Sequence, residues 1–406
     1  MERDLRADLS AGARPALTAA EGARRFVAGP PPLGLYAHLP WCLRKCPYCD
    51  FNSHAHPGPL PQQAYVAALL ANLDAQLAAG GGGRPVVSVF VGGGTPSLLG
   101  GPAIRDLIAG VRSACDLTAD AEITLEANPG VADAGRFEAY LRAGVNRLSI
   151  GVQSLSAAHL QALGRIHDPA QALAAYAAAR DGGFENINLD LMFGLPGQTR
   201  RQAREDLSRL VELGAEHVSY YQLTLEPNTA FARVPPPLPD EEVVCDMQED
   251  GVALLASAGY VRYEVSGFAR SGRQCRHNRN YWRFGDYLGI GAGAHGKLTD
   301  GASGLVERRT QRRHPDAFVA EARRIGHRRR LTDSDLVVEF ALNALRLVGG
   351  VEASLFERRT GLSSSRIAAV LDQARAEGLL TTDRRRIAAS PLGFRFLNDL
   401  VARFAP

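Results

Sequence analysis

Cys42-Leu43-Arg44-Lys45-Cys46-Pro47-Tyr48-Cys49 packs three of the six cysteines of a 406-residue chain into eight positions. It directly follows the apolar run Leu35-Tyr36-Ala37-His38-Leu39-Pro40-Trp41. Spaced four and three apart, three thiolates converge on one metal centre when the backbone loops around it. Arg44 and Lys45 are placed to stabilise the thiolate forms. A structural zinc asks for four ligands, and a catalytic one for nitrogen or oxygen partners. An iron–sulfur cube takes cysteine sulfur, normally four per cube. Three cysteines would leave one iron without a protein ligand and open to a small molecule. On this stretch alone a zinc loop and a chance cluster of thiols stay open, and the rest of the chain decides.

Outward from the thiols, short apolar runs alternate with longer helical patterns, the mark of repeated βα units. Strands are expected over 34–39, 86–91, 122–127, 146–150, 186–191 and 217–223. Helices are expected over 62–79, 102–115, 132–143, 169–181 and 199–213. Val86-Val87-Ser88-Val89-Phe90-Val91 is nearly continuous in apolar residues, as in a parallel strand covered on both faces. Six such units predict an α/β fold, a partial (β/α)6 barrel with a curved sheet. Parallel barrels carry their chemistry on the loops at the C-terminal ends of the strands, and the unusual residues fall there. The three cysteines follow the first strand, and Gly92-Gly93-Gly94-Thr95 follows the second, where missing Cβ atoms let backbone approach a ligand. Glu126 ends the third. Gly151-Val152-Gln153-Ser154 ends the fourth, with Arg165 shortly after, and Asp190 sits on the fifth.

Composition narrows the class. A hydrophobic content of 46%, a charged content of 22% and a net charge of +3 fit a soluble globular chain and give no reason to expect nucleic acid or membrane. No apolar run approaches the roughly 20 residues needed to span a bilayer. The cysteines are too sparse for a disulfide scaffold, which points to a reducing cytoplasm. Residues 1–32 are rich in Ala, Arg, Gly and Pro; Glu2, Asp4, Asp8 and Glu21 among the arginines argue against a transit peptide and for a flexible lead.

The stretches HLPWCLRKCPYCDFNSH (38–54), VFVGGGTPSLL (89–99), EITLEANPG (122–130), GVNRLSIGVQSL (144–155), LGRIH (163–167), NINLDLMFGLPGQT (186–199), YYQLTLEPNT (220–229) and CRHNRNYWRFGDYLGIGAGAHGK (275–297) resemble the coproporphyrinogen III oxidase-like branch of the radical S-adenosylmethionine (SAM) superfamily. The likeness runs from Leu35 to about Leu298. It implies a 4Fe–4S cluster held by Cys42, Cys46 and Cys49, whose open iron binds the amino and carboxylate groups of SAM and whose electron cleaves it. Tyr36, Gly93, Gly94, Thr95, Glu126, Gln153, Arg165 and Asp190 match family positions that contact SAM. His277, in the H-N-x-x-Y-W motif of 277–282, matches the branch's haem-binding motif, with Tyr281 and Trp282 available to pack on a porphyrin. Cys275 is either a second ligand or a small buried thiol.

Within that branch the resemblance is to its haem chaperones more than to its oxygen-independent coproporphyrinogen III dehydrogenases. The dehydrogenases carry a further cysteine two residues after the third cluster cysteine, and here that residue is Phe51. They lack the H-N-x-x-Y-W motif and have a long N-terminal segment, where this chain has only its Gly/Pro/Ala-rich lead. The expected function is therefore haem binding and delivery to an acceptor haemoprotein, such as a membrane-associated respiratory enzyme, with SAM cleavage retained in a regulatory capacity. The alternative is oxidative decarboxylation of propionates. The resemblance also brings an electron donor such as flavodoxin or ferredoxin, and a homodimer as one assembly.

After the core at 33–234, residues 235–305 are expected to extend the barrel, and Asp240 to cap a helix running to Ala258. Gly289–Ile290 through His295 is expected to form a tight turn. The arginines of 306–333 are expected to make a basic linker with a solvated face. Residues 334–406 suggest a small winged-helix-like α+β domain, with a short β insertion over 381–387. Winged helices can bind DNA, but no base-reading cue supports that here and no nucleic acid is expected. Anaerobic reconstitution with iron and sulfide should give about four irons per chain, and Cys46→Ala should abolish it; iron analysis beside the absorption spectrum checks this.

Overall fold

The computed structural model describes residues 29–56, 58–131 and 134–405. Six strands lie side by side in chain order: β1 (Leu33–Leu39), β2 (Val86–Gly93), β3 (Leu117–Ala127), β4 (Arg147–Gln153), β5 (Ile187–Phe193) and β6 (His217–Gln222). Every neighbouring pair is parallel. The helices α1 (Gln62–Gln76), α2 (Gly101–Ala114), α3 (Ala134–Arg142), α4 (Pro169–Asp181) and α5 (Arg200–Glu212) fill the crossovers, and α6 (Glu241–Ser257) follows β6. This is the expected (β/α)6 order. The expected helix start at 132 and most of the N-terminal lead lie outside the described residues.

Local sequence explains the elements. Ile104, Leu107, Ile108 and Val111 recur at helical spacing and bury one face of α2. Asp168 with Gln171 and Thr199 with Gln202 form capping boxes that start α4 and α5. Asp240 occupies the N-cap of α6 but makes no side-chain cap bond. The outward residues of the strands, among them Leu35, Val89, Ile123, Leu148 and Leu189, join Tyr65, Leu69 and Leu107 of the helices in the main apolar core. At roughly 25 cal/mol per Å² of apolar surface, that layer is the principal stabilising term.

Two expectations are corrected. Strands β7 (Val261–Arg262) and β8 (Gly267–Ala269) close the β6 edge antiparallel. The chain then crosses to the opposite edge, where β9 (Asp286–Ile290) pairs parallel with β1 and adds a seventh parallel strand. Gly289 and Ile290 therefore belong to a strand, and only the residues after them turn. Strand β9 hid in the sequence because Gly289 interrupts its apolar run; a Cβ there would lie 1.9 Å from the His295 carbonyl oxygen. Next, the arginine-rich stretch is not a linker. After β10 (His295–Thr299) it forms β11 (Val306–Thr310) and β12 (His327–Arg330), antiparallel neighbours that finish a twelve-stranded sheet. Its arginines have partners a sequence cannot show: Arg308 bonds Glu339, Arg309 and Arg328 bond Glu307, and Arg329 bonds Asp335.

Between β8 and β9 the helix α7 (Arg276–Trp282) closes the barrel from below, and α8 (Pro315–Ala320) packs on α1. The last segment holds α9 (Asp333–Ala344), α10 (Leu355–Thr360) and α11 (Ser365–Ala376). A two-residue antiparallel wing, Val351–Glu352 with Arg386–Ile387, accompanies them. A second apolar cluster joins Phe340, Phe356 and Leu400 of this segment to Tyr263, Phe284 and Val306 of the sheet extension.

The extension is pinned by a buried ion pair. Lys297 Nζ lies 2.8 Å from Asp286 Oδ1, both side chains at most 2% exposed, and Asp286 Oδ2 also accepts from Arg84 and the Thr299 amide. Removing one partner of such a pair leaves a buried charge and typically costs ~3–5 kcal/mol. Because Arg84 and Thr299 remain, Lys297→Met should cost roughly 3 kcal/mol, read as a lower denaturant midpoint at unchanged slope.

Candidate functional site

Side chains alternate along a strand, so the residues between the outward apolar ones face the barrel interior, and they are polar or aromatic. At the C-terminal strand ends this interior opens into a cavity of about 1100 Å³. Cys42, Cys46 and Cys49 line it together with Gly93, Gly94, Thr95, Glu126, Gln153, Arg165 and Asp190.

Backbone bonds lock the thiol loop to the glycine loop: the Gly94 amide donates to Leu39 O and the Thr95 amide to Trp41 O, each at 2.7 Å. Glycine is required at both hinge positions. At Gly93 (φ 122°) a Cβ would lie 2.7 Å from Leu39 O, and at Gly94 it would lie 2.5 Å from Trp41 O and 3.0 Å from Cys42 Sγ. Each sulfur has a polar neighbour. Thr95 Oγ1 donates to Cys42 Sγ at 3.5 Å, Ser53 Oγ is 3.7 Å from Cys49 Sγ, and Arg165 Nη1 donates to Cys46 Sγ at 3.8 Å. Burial pushes the Cys42 and Cys49 thiols up, and Thr95 and Ser53 oppose it. The cation against a sulfur is thus Arg165, from a loop 119 residues away, while Lys45 donates to the Phe51 carbonyl. Among the described residues no group of three His, Cys, Asp or Glu is set to hold a single metal ion. A set of three sulfurs without nitrogen or oxygen ligands, with donors to each, fits an iron–sulfur cluster.

The floor carries two buried acids. Glu126 accepts from the Gly93 amide at 2.9 Å, and its carboxyl is pushed up to about 8 by burial, with the Asp190 charge adding to the shift. Asp190 is also raised by burial, opposed by Asn188, Ser219 and Ser149. Arg165 donates to Asn128 Oδ1 and Gly151 O. Gln153 holds a positive φ of 66° and accepts from the Tyr221 hydroxyl at 2.6 Å. Such backbone costs on the order of 1 kcal/mol and collects at functional sites. Cavity residues that sequence reading missed include Asn128, Met192, Tyr221 and His295. The first three continue the period of two from Glu126, Asp190 and Ser219, a signal that was available; His295 carries no such pattern.

Tyr36 and His277 do not line the cavity. Tyr36 bonds His38 Nδ1 at 2.9 Å and stacks on Phe90. His277 sits deep in the barrel, 1% exposed, with Nδ1 2.9 Å from Ser88 Oγ and Nε2 2.7 Å from Tyr281 Oη. Burial, with Arg147 adding, pushes its imidazole down to about 3. Cys275 is a buried thiol donating to Glu122.

Residues 36–210 match the radical SAM superfamily model, and 331–396 match the HemN C-terminal domain. The heme chaperone HemW of Escherichia coli (strain K12) is 50% identical over 92% of this chain and 98% of its own. The chain belongs to the HemW family of radical SAM proteins. The Haemophilus influenzae HemW is 44% identical over 92% of this chain and 98% of its own. A Bos taurus relative, radical S-adenosyl methionine domain-containing protein 1, mitochondrial, is 39% identical over 90% of this chain and 86% of its own. The E. coli coproporphyrinogen III oxidase HemN shares the fold, with a TM-score of 0.77 at 23% identity over 99% of this chain and 98% of that one.

An acid whose native value stands near 8 keeps a proton that the unfolded chain loses near ~4.3. Between those values the native state binds more protons, so stability declines as pH rises. Unfolding free energy of the cluster-free chain should fall by on the order of a few kcal/mol from about pH 5 to pH 8. Glu126→Gln should flatten that slope, as denaturant titrations across the range would read.

Proposed function

We propose that this chain is a haem chaperone: it binds haem, holds a SAM-ligated 4Fe–4S cluster on Cys42, Cys46 and Cys49, and delivers haem to an acceptor haemoprotein. The carrying observation is 50% identity across 92% of the chain to a protein described as a heme chaperone. Phe51 supports the same reading against the dehydrogenase alternative. Its side chain lines the cavity and is 56% exposed, where the dehydrogenases resembled here carry a sulfur.

When bound, the cluster supplies one-electron reducing power and SAM the bond that it cleaves. The protein's part is positioning. The Gly93 and Gly94 backbone and Thr95 receive the methionine end, while Gln153, Arg165 and Asp190 offer donors and acceptors for carboxylate and ribose hydroxyls. Glu126 becomes an anion once an ammonium stands against it. Tyr36 shapes the layer below. In this reading the chain works in the cytoplasm, singly or as a homodimer, takes electrons from a flavodoxin or ferredoxin, and meets a membrane-associated respiratory enzyme as acceptor. Among the described residues no helix is long and apolar enough to cross a membrane.

The purified chain should take up haem stoichiometrically, with a shifted Soret band. The reconstituted protein should leave coproporphyrinogen III unconverted under reducing anaerobic conditions. Formation of protoporphyrinogen IX would replace this reading with the dehydrogenase, and failure to bind haem would remove it.

A further inference from the structure

We infer that Asn188 and His217 are positioning residues for SAM: a train of hydrogen bonds with one permitted proton arrangement runs through them and holds Asp190 as an acceptor at the cavity floor. This rests on the reading that SAM occupies the cavity. Strand register builds the train. It sets Ser149, Asn188 and His217 side by side on β4, β5 and β6, with Gly151, Asp190 and Ser219 in the row above. Ser149 and Asp190 line the cavity, whereas Asn188 (2% exposed) and His217 (1%) are sealed beneath its lining. Neither can touch a bound ligand, so whatever they do there is done through Asp190.

The carboxylate dictates the protons. Asp190 Oδ1 lies 2.8 Å from Asn188 Nδ2, and Oδ2 lies 3.2 Å from Ser149 Oγ. Turning the Asn188 amide over would set oxygen against oxygen, so its NH2 group faces Asp190 and also donates to Ser149 Oγ at 2.7 Å. Asn188 Oδ1 then points away, accepting from Ser219 Oγ at 3.0 Å and from His217 Nδ1 at 2.6 Å. The imidazole proton is therefore on Nδ1. Burial, with Arg147 adding, holds this ring well below the usual histidine range, so it carries one proton only. Its bare Nε2 accepts from the Tyr263 hydroxyl at 2.9 Å, and Tyr263 Oη accepts from the Cys275 amide at 3.4 Å. Burial pushes the Tyr263 phenol up, and it keeps its proton.

Every donor from Cys275 upward thus points toward Asp190. Bonds aligned head to tail polarise one another, and donors on both carboxylate oxygens favour the charged form against the burial that opposes it. A carboxylate offers about four acceptor sites. With two taken from below, the others are available to the paired ribose hydroxyls of SAM. A side chain fixed before its ligand arrives also needs no reordering on binding, which is where preorganisation gains affinity.

The test measures SAM affinity of the full-length, cluster-reconstituted chain by anaerobic equilibrium dialysis. Iron content and circular dichroism report whether each variant is intact. Asp190→Asn should weaken binding, and Asn188→Leu should weaken it about tenfold. The double variant should lose no more than the larger single loss, because Asn188 acts through Asp190. His217→Leu should follow Asn188→Leu, and His217→Asn, which keeps a donor at the Nδ1 position, should recover most of that loss. Should Asn188→Leu fail to fold, Asn188→Ser gives the same comparison. Nitrogen-15 NMR of the histidine-labelled chain should show His217, identified by its missing signals in His217→Leu, as the Nδ1–H tautomer. Additive losses, an intact His217→Leu variant with wild-type affinity, or an Nε2–H tautomer each overturn the positioning role and leave the SAM reading standing. A reconstituted wild-type chain that binds no SAM overturns that reading, and the role with it.

Discussion

Glu122, low on β3 inside the barrel, is the residue on which the two ends of this molecule meet. Its carboxylate accepts from the amides of Arg276 and His277 and from the Cys275 thiol. A parallel barrel with polar inward residues has to satisfy them without bulk water, because each unpaired buried polar group costs about 1–3 kcal/mol. Helix α7 meets that requirement. It enters from below, pairs with Glu122, Ser88 and Phe90, and extends Trp282 into the apolar cluster shared with the C-terminal segment. The plug therefore seals the barrel floor and docks the appended domain.

With the lower end sealed by protein, the open end is left to ligands. There the structure holds features that work against stability: two buried acids, the Asp190 charge adding to the rise of Glu126, a left-handed Gln153, and the Cys42 and Cys49 thiols raised by burial. In the reading proposed above, an ammonium would compensate a carboxylate and iron would take the place of thiol protons. Departures from local stability concentrated on one rim are the physical mark of a functional site.

The rim carries the thiols, glycines and acids, and the residues just outside it add aromatic surface. Phe51 puts an exposed ring on the thiol loop, and His295 faces the same opening from the sheet extension. The arginines of that extension mostly hold the sheet and α9 together through Glu307, Asp335 and Glu339. The appended strands thus bring one residue, His295, to the cavity lining.

The sequence by itself determined the six parallel strands and the rim. Strand identity is written in short apolar runs, and rim position in which residues end those runs; both are local patterns with fixed periods. The thiol spacing and the glycines at 93 and 94 belong to the same class. What tertiary structure decided were the contacts between segments distant in sequence. Arg165, not Arg44 or Lys45, reaches a sulfur, because the loop after β4 folds over the thiols. The residues 286–290 pair with β1 across some 250 positions of chain. His277 and His295, 18 residues apart, arrive at opposite ends of the barrel because β9 lies between them. A side chain's end of the barrel follows from the path of the backbone through space, and no local period encodes that path.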